Sequence, residues 1–378
     1  MSDVNLFRRH MLSAAVAGAL VSFSAAAHAA VTTETIFSPS NGRNLSFQVY
    51  TPPGYATDVS RRYPLVISLH GIGGKSLDRA NLYAPTLDAR INSGELAPMI
   101  WAFPDGQTNS FYGDAFDGHK QVHSNIIGEA LPFVEGKYRT IAERGRRAME
   151  GFSMGGFGAA MYTAKHTDLF SAVVEYGGAL ATWQNLHQFN NAVAVEMYSD
   201  VEANWLPYSL WDVTTANAAA LKTTVNYKMI VGDADSQYQS NTRFRDHVVS
   251  LGIDPHFQVL PGVEHLGGSY VSEGSGLRFL SQHFVAQAAQ AGDFDGDGDA
   301  DAGDFLTWQR LAGSGAAPSA DGNLDGKVNE ADLPAWEQRF GGSTAAATGV
   351  PEPCGVFLLL TALCCWMSRR RGCQFERS

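Results

Sequence analysis

Cysteine is missing from nearly the whole chain. Cys354, Cys364, Cys365 and Cys373 all fall in the last 25 of its 378 residues. The body of the protein therefore has no disulfide framework and no cysteine nucleophile, and must hold by packing. Charge is sparse as well. Only 17% of residues are charged while 45% are apolar and 39 are glycine, a composition that excludes a disordered chain and permits a large core. Positive charge is the scarcer sign, with 27 Lys and Arg against 38 Asp and Glu. Of the net charge of −11, about −8 sits in residues 291–341, which hold 11 acidic and 3 basic side chains. The remainder is close to neutral, and no basic stripe offers itself to phosphates, so nucleic acid is excluded as a partner.

Both ends read as addresses. Arg8 and Arg9 precede an apolar stretch from Met11 to Ala27, and Ala27-His28-Ala29 carries the small residues a signal peptidase needs, so residues 1–29 are expected to be a signal peptide and the protein exported. A twin-arginine signal is the alternative, against which Phe7 stands where Ser or Thr is usual. At the other end Val350-Pro-Glu-Pro353 leads into an apolar run from Gly355 to Met367 and then Arg369, Arg370 and Arg371. The run is shorter than the ~20 residues of a spanning helix, though tilt and bilayer thinning allow it to insert, giving a transiently membrane-associated tail. In that order the three features of residues 350–378 resemble the PEP-CTERM sorting signal, whose processing implies a secreted or surface-displayed product.

Between the ends, residues 31–287 alternate strand-like and helix-like runs, the pattern of a mostly parallel sheet flanked by helices, an α/β class. Strands are expected at Leu45 to Tyr50, Leu65 to Leu69, Met99 to Phe103, Ala148 to Gly151, Ala172 to Tyr176, Lys228 to Val231 and His256 to Leu260. A closing helix from Gly276 to Gln287 puts Leu277, Leu280 and Phe284 on one face. Thr182 to Asn217 has poor periodicity and many Asn, Trp and Tyr, and is expected to be an insertion above the sheet that forms a cap or substrate wall. Gly313 to Ala320 and Gly342 to Gly349 read as linkers that should not pack.

Gly151-Phe152-Ser153-Met154-Gly155 fits G-x-S-x-G, after a strand and before a helix-like run from Gly156 to Lys165. A serine on such a strained strand-to-helix turn needs neighbours without bulk, and the helix N-terminus favours the negative charge of an attacking oxygen. His70-Gly71-Ile72-Gly73-Gly74 follows the strand Leu65 to Leu69, where an oxyanion loop belongs, so the backbone N–H groups of Ile72 and Met154 are the expected donors. His70 itself reads as structural, bonded to backbone. The acid should follow a later strand and the base later still. Asp233 and Asp235 both qualify for the acid; Asp235 is preferred, because Asp233 suits a turn cap. His265, in the loop Pro261 to Gly268, is the expected base. His119 and His123 are further candidates to line the site.

Tyr50 to Gly54 (Tyr-Thr-Pro-Pro-Gly), Leu69-His-Gly71, Pro104-Asp-Gly106, Tyr138-Arg-Thr140, Gly151 to Phe157 and Lys165 to Phe170 occur in an order that resembles the esterase D-like family. That family includes feruloyl and acetyl-xylan esterases of carbohydrate esterase family 1, S-formylglutathione hydrolases and mycolyltransferases. The resemblance covers residues 31–287 and implies an α/β-hydrolase fold with a Ser153, Asp235 and His265 triad and no cofactor for catalysis. Thr167 departs from the proline usual in the Lys165 to Phe170 run, which bears on a turn rather than on chemistry.

Residues 293–304 and 321–332 repeat the EF-hand loop plan. Asp293, Asp295, Asp297, Asp301 and Asp304 recur as Asp321, Asn323, Asp325, Asn329 and Asp332, with Asp299 and Lys327 at the seventh position and Gly298 and Gly326 at the sixth. Each loop is followed at the same offset by a tryptophan, Trp308 and Trp336, on a short amphipathic helix. The duplicated unit, residues 291–341, resembles a type I dockerin, a small all-α module expected to hold two calcium ions and to engage a cohesin-like partner. Together these readings give an exported serine ester hydrolase that removes acyl groups such as feruloyl or acetyl from polysaccharides. The rivals are acyl transfer to a sugar acceptor and a non-catalytic surface-display protein.

Overall fold

The computed structural model describes residues 29–313, 319–323, 325 and 327–340. The signal-peptide and sorting-signal readings, the Gly342 to Gly349 linker, all four cysteines and Gly326 lie outside the described residues. The chain divides into two compact units, Met1–Val285 and Ala286–Ser378.

The first unit is built on one eight-stranded sheet: β1 (Ala30–Ser38), β2 (Arg43–Thr51), β3 (Leu65–Leu69), β4 (Ile100–Phe103), β5 (Arg147–Phe152), β6 (Ala172–Tyr176), β7 (Asn226–Gly232) and β8 (Gln258–Leu260). The spatial order is β1-β2-β4-β3-β5-β6-β7-β8. The β1/β2 and β2/β4 pairs are antiparallel and all others parallel, the α/β-hydrolase arrangement. Parallel strands covered on both faces are mostly apolar, and the side chains alternate between two cores. Leu65, Ile67, Ile100, Ala102, Met149, Val173 and Met229 enter one; Val66, Trp101, Phe103, Ala148, Val174 and Ile230 enter the other.

Two expectations change. β1 has no counterpart among the expected strands, because an edge strand with only Glu34 and Ser38 buried carries no apolar periodicity to read. β8 begins at Gln258 rather than His256, whose φ of 39° takes the chain through the left-handed region before the strand can start. Thr182 to Asn217 is largely helical and well packed, with helices Trp183–Tyr198, Glu202–Trp205 and Leu210–Ala216 burying Leu186, Val193, Met197, Trp205 and Leu210. Non-helical dihedrals at Asn190 kink the first of these, which breaks the period over the window in which it would be read.

Strands β3 and β5 are also joined by a buried polar cluster. Arg79, from helix Ser76–Asn92, donates to both carboxylate oxygens of Glu150 at 2.8 Å and to Ser68, and Tyr83 donates to Glu150 at 2.7 Å. A buried charge is tolerated only when paired and hydrogen-bonded in this way.

The second unit has a small core of Phe294, Ala320 and Val328, flanked by Trp308, Leu311, Ala335 and Trp336. Ala320 is therefore packed, contrary to the reading of Gly313 to Ala320 as a free linker: with so few large apolar residues, a methyl group beside the loop is drawn into the core.

Candidate active site

The C-terminal ends of the parallel strands carry the functional groups. β5 ends at Phe152, and helix Met154–Lys165 starts two residues on, so the turn between them falls on Ser153, at φ 59° and ψ −119°. This backbone state costs ~1–3 kcal/mol in a non-glycine residue and persists only where the surroundings impose it. The imposition is visible. Ser153 N–H donates to Tyr176 O at 3.0 Å, and Ser153 O accepts from Ala179 N at 2.9 Å and Phe157 N at 3.1 Å. A Cβ on Gly151 would lie 2.0 Å from Gly155 O, and one on Gly155 would lie 2.0 Å from Leu69 O, so both flanking glycines are sterically required.

His265 bridges the other two groups. Its Nε2 is 2.9 Å from Ser153 Oγ, and its Nδ1 is 2.8 and 2.9 Å from the two oxygens of Asp235. Asp235 is 5% exposed and follows β7. Burial alone would raise its carboxyl, but hydrogen bonds from His265, Tyr270 and Gln237 N hold it below the usual carboxylate range. Asp233 instead accepts from Gly262 N at 2.6 Å, a turn contact. The Phe152 ring lies against the His265 imidazole, centroids 4.7 Å apart. Of the expected oxyanion donors, Met154 opens the helix and Ile72 sits in the loop after β3, where a Cβ on Gly71 would come within 3.3 Å of Ser153 Cβ. No backbone acceptor among the described residues engages either N–H.

His119 and His123 take other roles. His119 pairs with Asp117 and lies 3.6 Å from Glu196, and His123 Nε2 meets His166 Nε2 at 2.8 Å; neither bonds to Ser153, His265 or Asp235. Two residues with no reading from the sequence complete the site. Tyr270 donates its hydroxyl to Asp235 Oδ2 and accepts from Gly232 N at 2.9 Å; nothing local marks it. Glu175 is fully buried in β6, with Oε1 accepting from Gly178 N and Oε2 without a partner. A carboxylate in the run Ala172-Val-Val-Glu-Tyr176 was the signal for it. Burial, only partly offset by the Gly178 N–H and reinforced by the charge of Asp235, pushes Glu175 up to about 8.

The acidic repeats of the second unit share one geometry. Asp304 accepts from Asp295 N at 3.0 Å and Asp301 N at 2.7 Å, and Asp332 accepts from Asn323 N at 3.2 Å and Asn329 N at 2.7 Å. Trp308 Nε1 donates to Asn329 O at 3.1 Å, while Trp336 Nε1 donates to Asp301 O at 2.6 Å. Each tryptophan thus holds the opposite loop. In the first loop, one oxygen each of Asp293, Asp295 and Asp297 lie within 4.8 Å of one another, as do those of Asp299, Asp301 and Asp304. Gly298 has a φ of 107° at the sharp turn. Burial first, then Asp297 and Asp301, raise Asp295 above the usual range, a cost that a divalent cation among these oxygens removes. The donor set fits a hard cation. In the second loop Asp321, Asn323, Asp325, Lys327, Asn329 and Asp332 keep the same order, with two amides in place of carboxylates.

Comparison with known proteins gives a consistent picture. The Esterase family model matches residues 38–249. An esterase of Mycobacterium tuberculosis is 34% identical over 140 residues, 36% of this chain and 30% of that protein. An endo-1,4-beta-xylanase/feruloyl esterase of Xylanibacter ruminicola is 28% identical over 153 residues, 38% of this chain and 21% of that protein. The chain spans less than a third of the length of these curated relatives. A solved ferulic acid esterase superposes with a TM-score of 0.59 at 25% identity, covering 68% of this chain and 98% of that one.

Two predictions follow from the geometry. Asp235→Asn should lower kcat by ~10⁴ through loss of imidazole orientation, whereas Asp233→Asn should change it by less than about tenfold, since it loses one turn contact; steady-state kinetics on a p-nitrophenyl ester rank the two. Glu175 holds its proton in the folded chain to about 8 but would release it near the ordinary 4.5 when unfolded. Stability therefore falls as pH rises across that interval and levels off above it. Glu175→Gln lacks this loss, so thermal melts should show an advantage over the parent that grows between pH 4.5 and 8, reaching on the order of 5 kcal/mol.

Proposed function

The chain belongs to the esterase family, and from that premise we propose that it is a carboxylic-ester hydrolase in which Ser153, His265 and Asp235 form the catalytic triad. One observation carries the reading: His265 lies within hydrogen-bonding distance of both a serine held at positive φ and a buried carboxylate. Ser153 Oγ attacks the ester carbonyl carbon as its proton passes to His265 Nε2, while Asp235 keeps the Nδ1 proton in place and stabilises the imidazolium. The N–H groups of Ile72 and Met154 take the oxyanion. Collapse of the tetrahedral adduct breaks the bond to the alcohol, whose oxygen receives the proton from Nε2, and leaves an acyl-serine. Water then attacks, giving its proton to the same Nε2. Loss of the second adduct releases the acid and returns the proton to Ser153. This chemistry needs no cofactor.

The proposed substrate is an acylated polysaccharide, with feruloyl or acetyl as the acyl group. Support comes from the likeness to a ferulic acid esterase and to a protein that joins a xylanase to a feruloyl esterase. Export by the N-terminal segment and processing of the tail near Pro351 and Pro353 fit a substrate outside the cell. The second unit is proposed as a calcium-binding, dockerin-like module with a cohesin-like partner; its duplicated loops and exchanged tryptophan contacts support this.

Ser153→Ala should reduce turnover of acetyl, feruloyl and short-chain aryl esters by ~10⁶ without changing the circular dichroism spectrum; substantial residual turnover in the folded variant would sink the triad assignment. Calcium should raise the melting transition of the second unit, because its binding energy appears there as folding energy, and should leave ester hydrolysis unchanged. Calorimetry and kinetics of the whole chain with and without chelator check both halves.

A further inference from the structure

The loop after β3 is tied by hydrogen bonds to the buried side chain of His70. Gly106 N–H donates to His70 Nε2 at 2.9 Å, so Nε2 carries a lone pair and the single ring proton resides on Nδ1. Nδ1 lies 2.8 Å from Gly71 O and donates to it. Asp105, 3.4 Å from Nε2, accepts from Gln107 N instead. Gly71 O also receives Gly74 N at 3.0 Å. Two donors therefore hold the Gly71 carbonyl in its orientation. In a trans peptide the following N–H points the opposite way, and the following N–H is that of Ile72.

We propose that neutral His70, protonated on Nδ1, is a positioning residue that turns the Gly71–Ile72 peptide so that the Ile72 N–H faces the oxyanion. The inference rests on the triad reading above. His70 is 2% exposed, and its ring joins two loops: the one after β3, and Asp105 to Tyr112 after β4. The second loop braces the first at two more points, since Tyr112 OH donates to His70 O at 2.8 Å and Gly73 N donates to Thr108 O at 3.0 Å. It is itself unusual, with Gln107, Phe111 and Tyr112 all at φ between 48° and 58°. Were the ring to turn over or gain a second proton, Nε2 would lose its capacity to accept from Gly106. Were Nδ1 to lose its proton, the Gly71 carbonyl would be held by Gly74 alone.

The amide isosteres of histidine separate the two ring nitrogens. In His70→Asn the amide nitrogen takes the place of Nδ1 and can still donate to Gly71 O. In His70→Gln the amide takes the place of Nε2, keeping an acceptor for Gly106 and losing the donor. With active sites counted by a fluorophosphonate that labels Ser153, His70→Gln and His70→Ala should lose ~10²-fold in kcat with KM changed less than about threefold. Affinity for an aryl boronate, which forms a tetrahedral adduct on the serine, should fall in parallel. His70→Asn should recover most of both. Equal losses in Asn and Gln, or losses confined to KM, would overturn the assignment. If the variants fold too poorly to count, the ¹⁵N imidazole spectrum of the unmodified protein decides alone, since a proton on Nε2 of His70 contradicts the proposal. Retained turnover and labelling in Ser153→Ala would instead mark failure of the underlying triad reading.

Discussion

Ser153 sits in a backbone state that almost any other environment would relax, and the neighbouring structure is arranged around keeping it there. The chain must leave β5, pass through φ 59° in one residue and enter a helix whose first turn lies against β3 and β6. That is possible only because Gly151 and Gly155 let main chain approach main chain where a Cβ could not fit. The two hydrogen bonds from Ser153 to the end of β6 and the residues after it lock the turn. Once it is locked, the serine oxygen lies 2.9 Å from His265 Nε2, and the loop after β3 runs alongside, with Gly71 against Ser153.

A parallel sheet brings its strand ends together without regard to their separation in sequence, and the site uses this. His265 meets Ser153 across 112 residues and Asp235 across 30. The cost is desolvation of several polar groups, and the structure meets it in different ways. Glu150 is paired with Arg79 through both carboxylate oxygens, between β3 and β5. Asp235 is charged because three donors surround it. Glu175, with one donor and a negative neighbour, keeps its proton instead. These are three answers to one problem, set by how many donors each carboxyl finds within reach.

The second unit faces the opposite difficulty, a chain too short for a substantial core. Its two loops are held by carboxylates that gather backbone N–H groups and by an exchange of indole hydrogen bonds between repeats.

The sequence alone determined a good deal. The apolar runs identified seven of the eight strands, because strands covered on both faces are mostly apolar. G-x-S-x-G between a strand and a helix located Ser153, because the steric demand for glycine is local. The loop after β8 located His265, and the spacing of acidic residues located the repeats. Tertiary structure decided what depends on neighbours distant in the chain. The choice of Asp235 over Asp233 was made by which carboxylate reaches the imidazole and which caps Gly262. Tyr270 entered through a fold contact with no local pattern, and the raised pKa of Glu175 follows from its burial in the folded sheet. β1 was hidden because an edge strand buries too little to show a period, and the helix Trp183–Tyr198 because a kink at Asn190 interrupts it. Periodicity and steric exclusion act over a few residues and are legible in one dimension; partner choice and desolvation are set by packing, and exist only once the chain has folded.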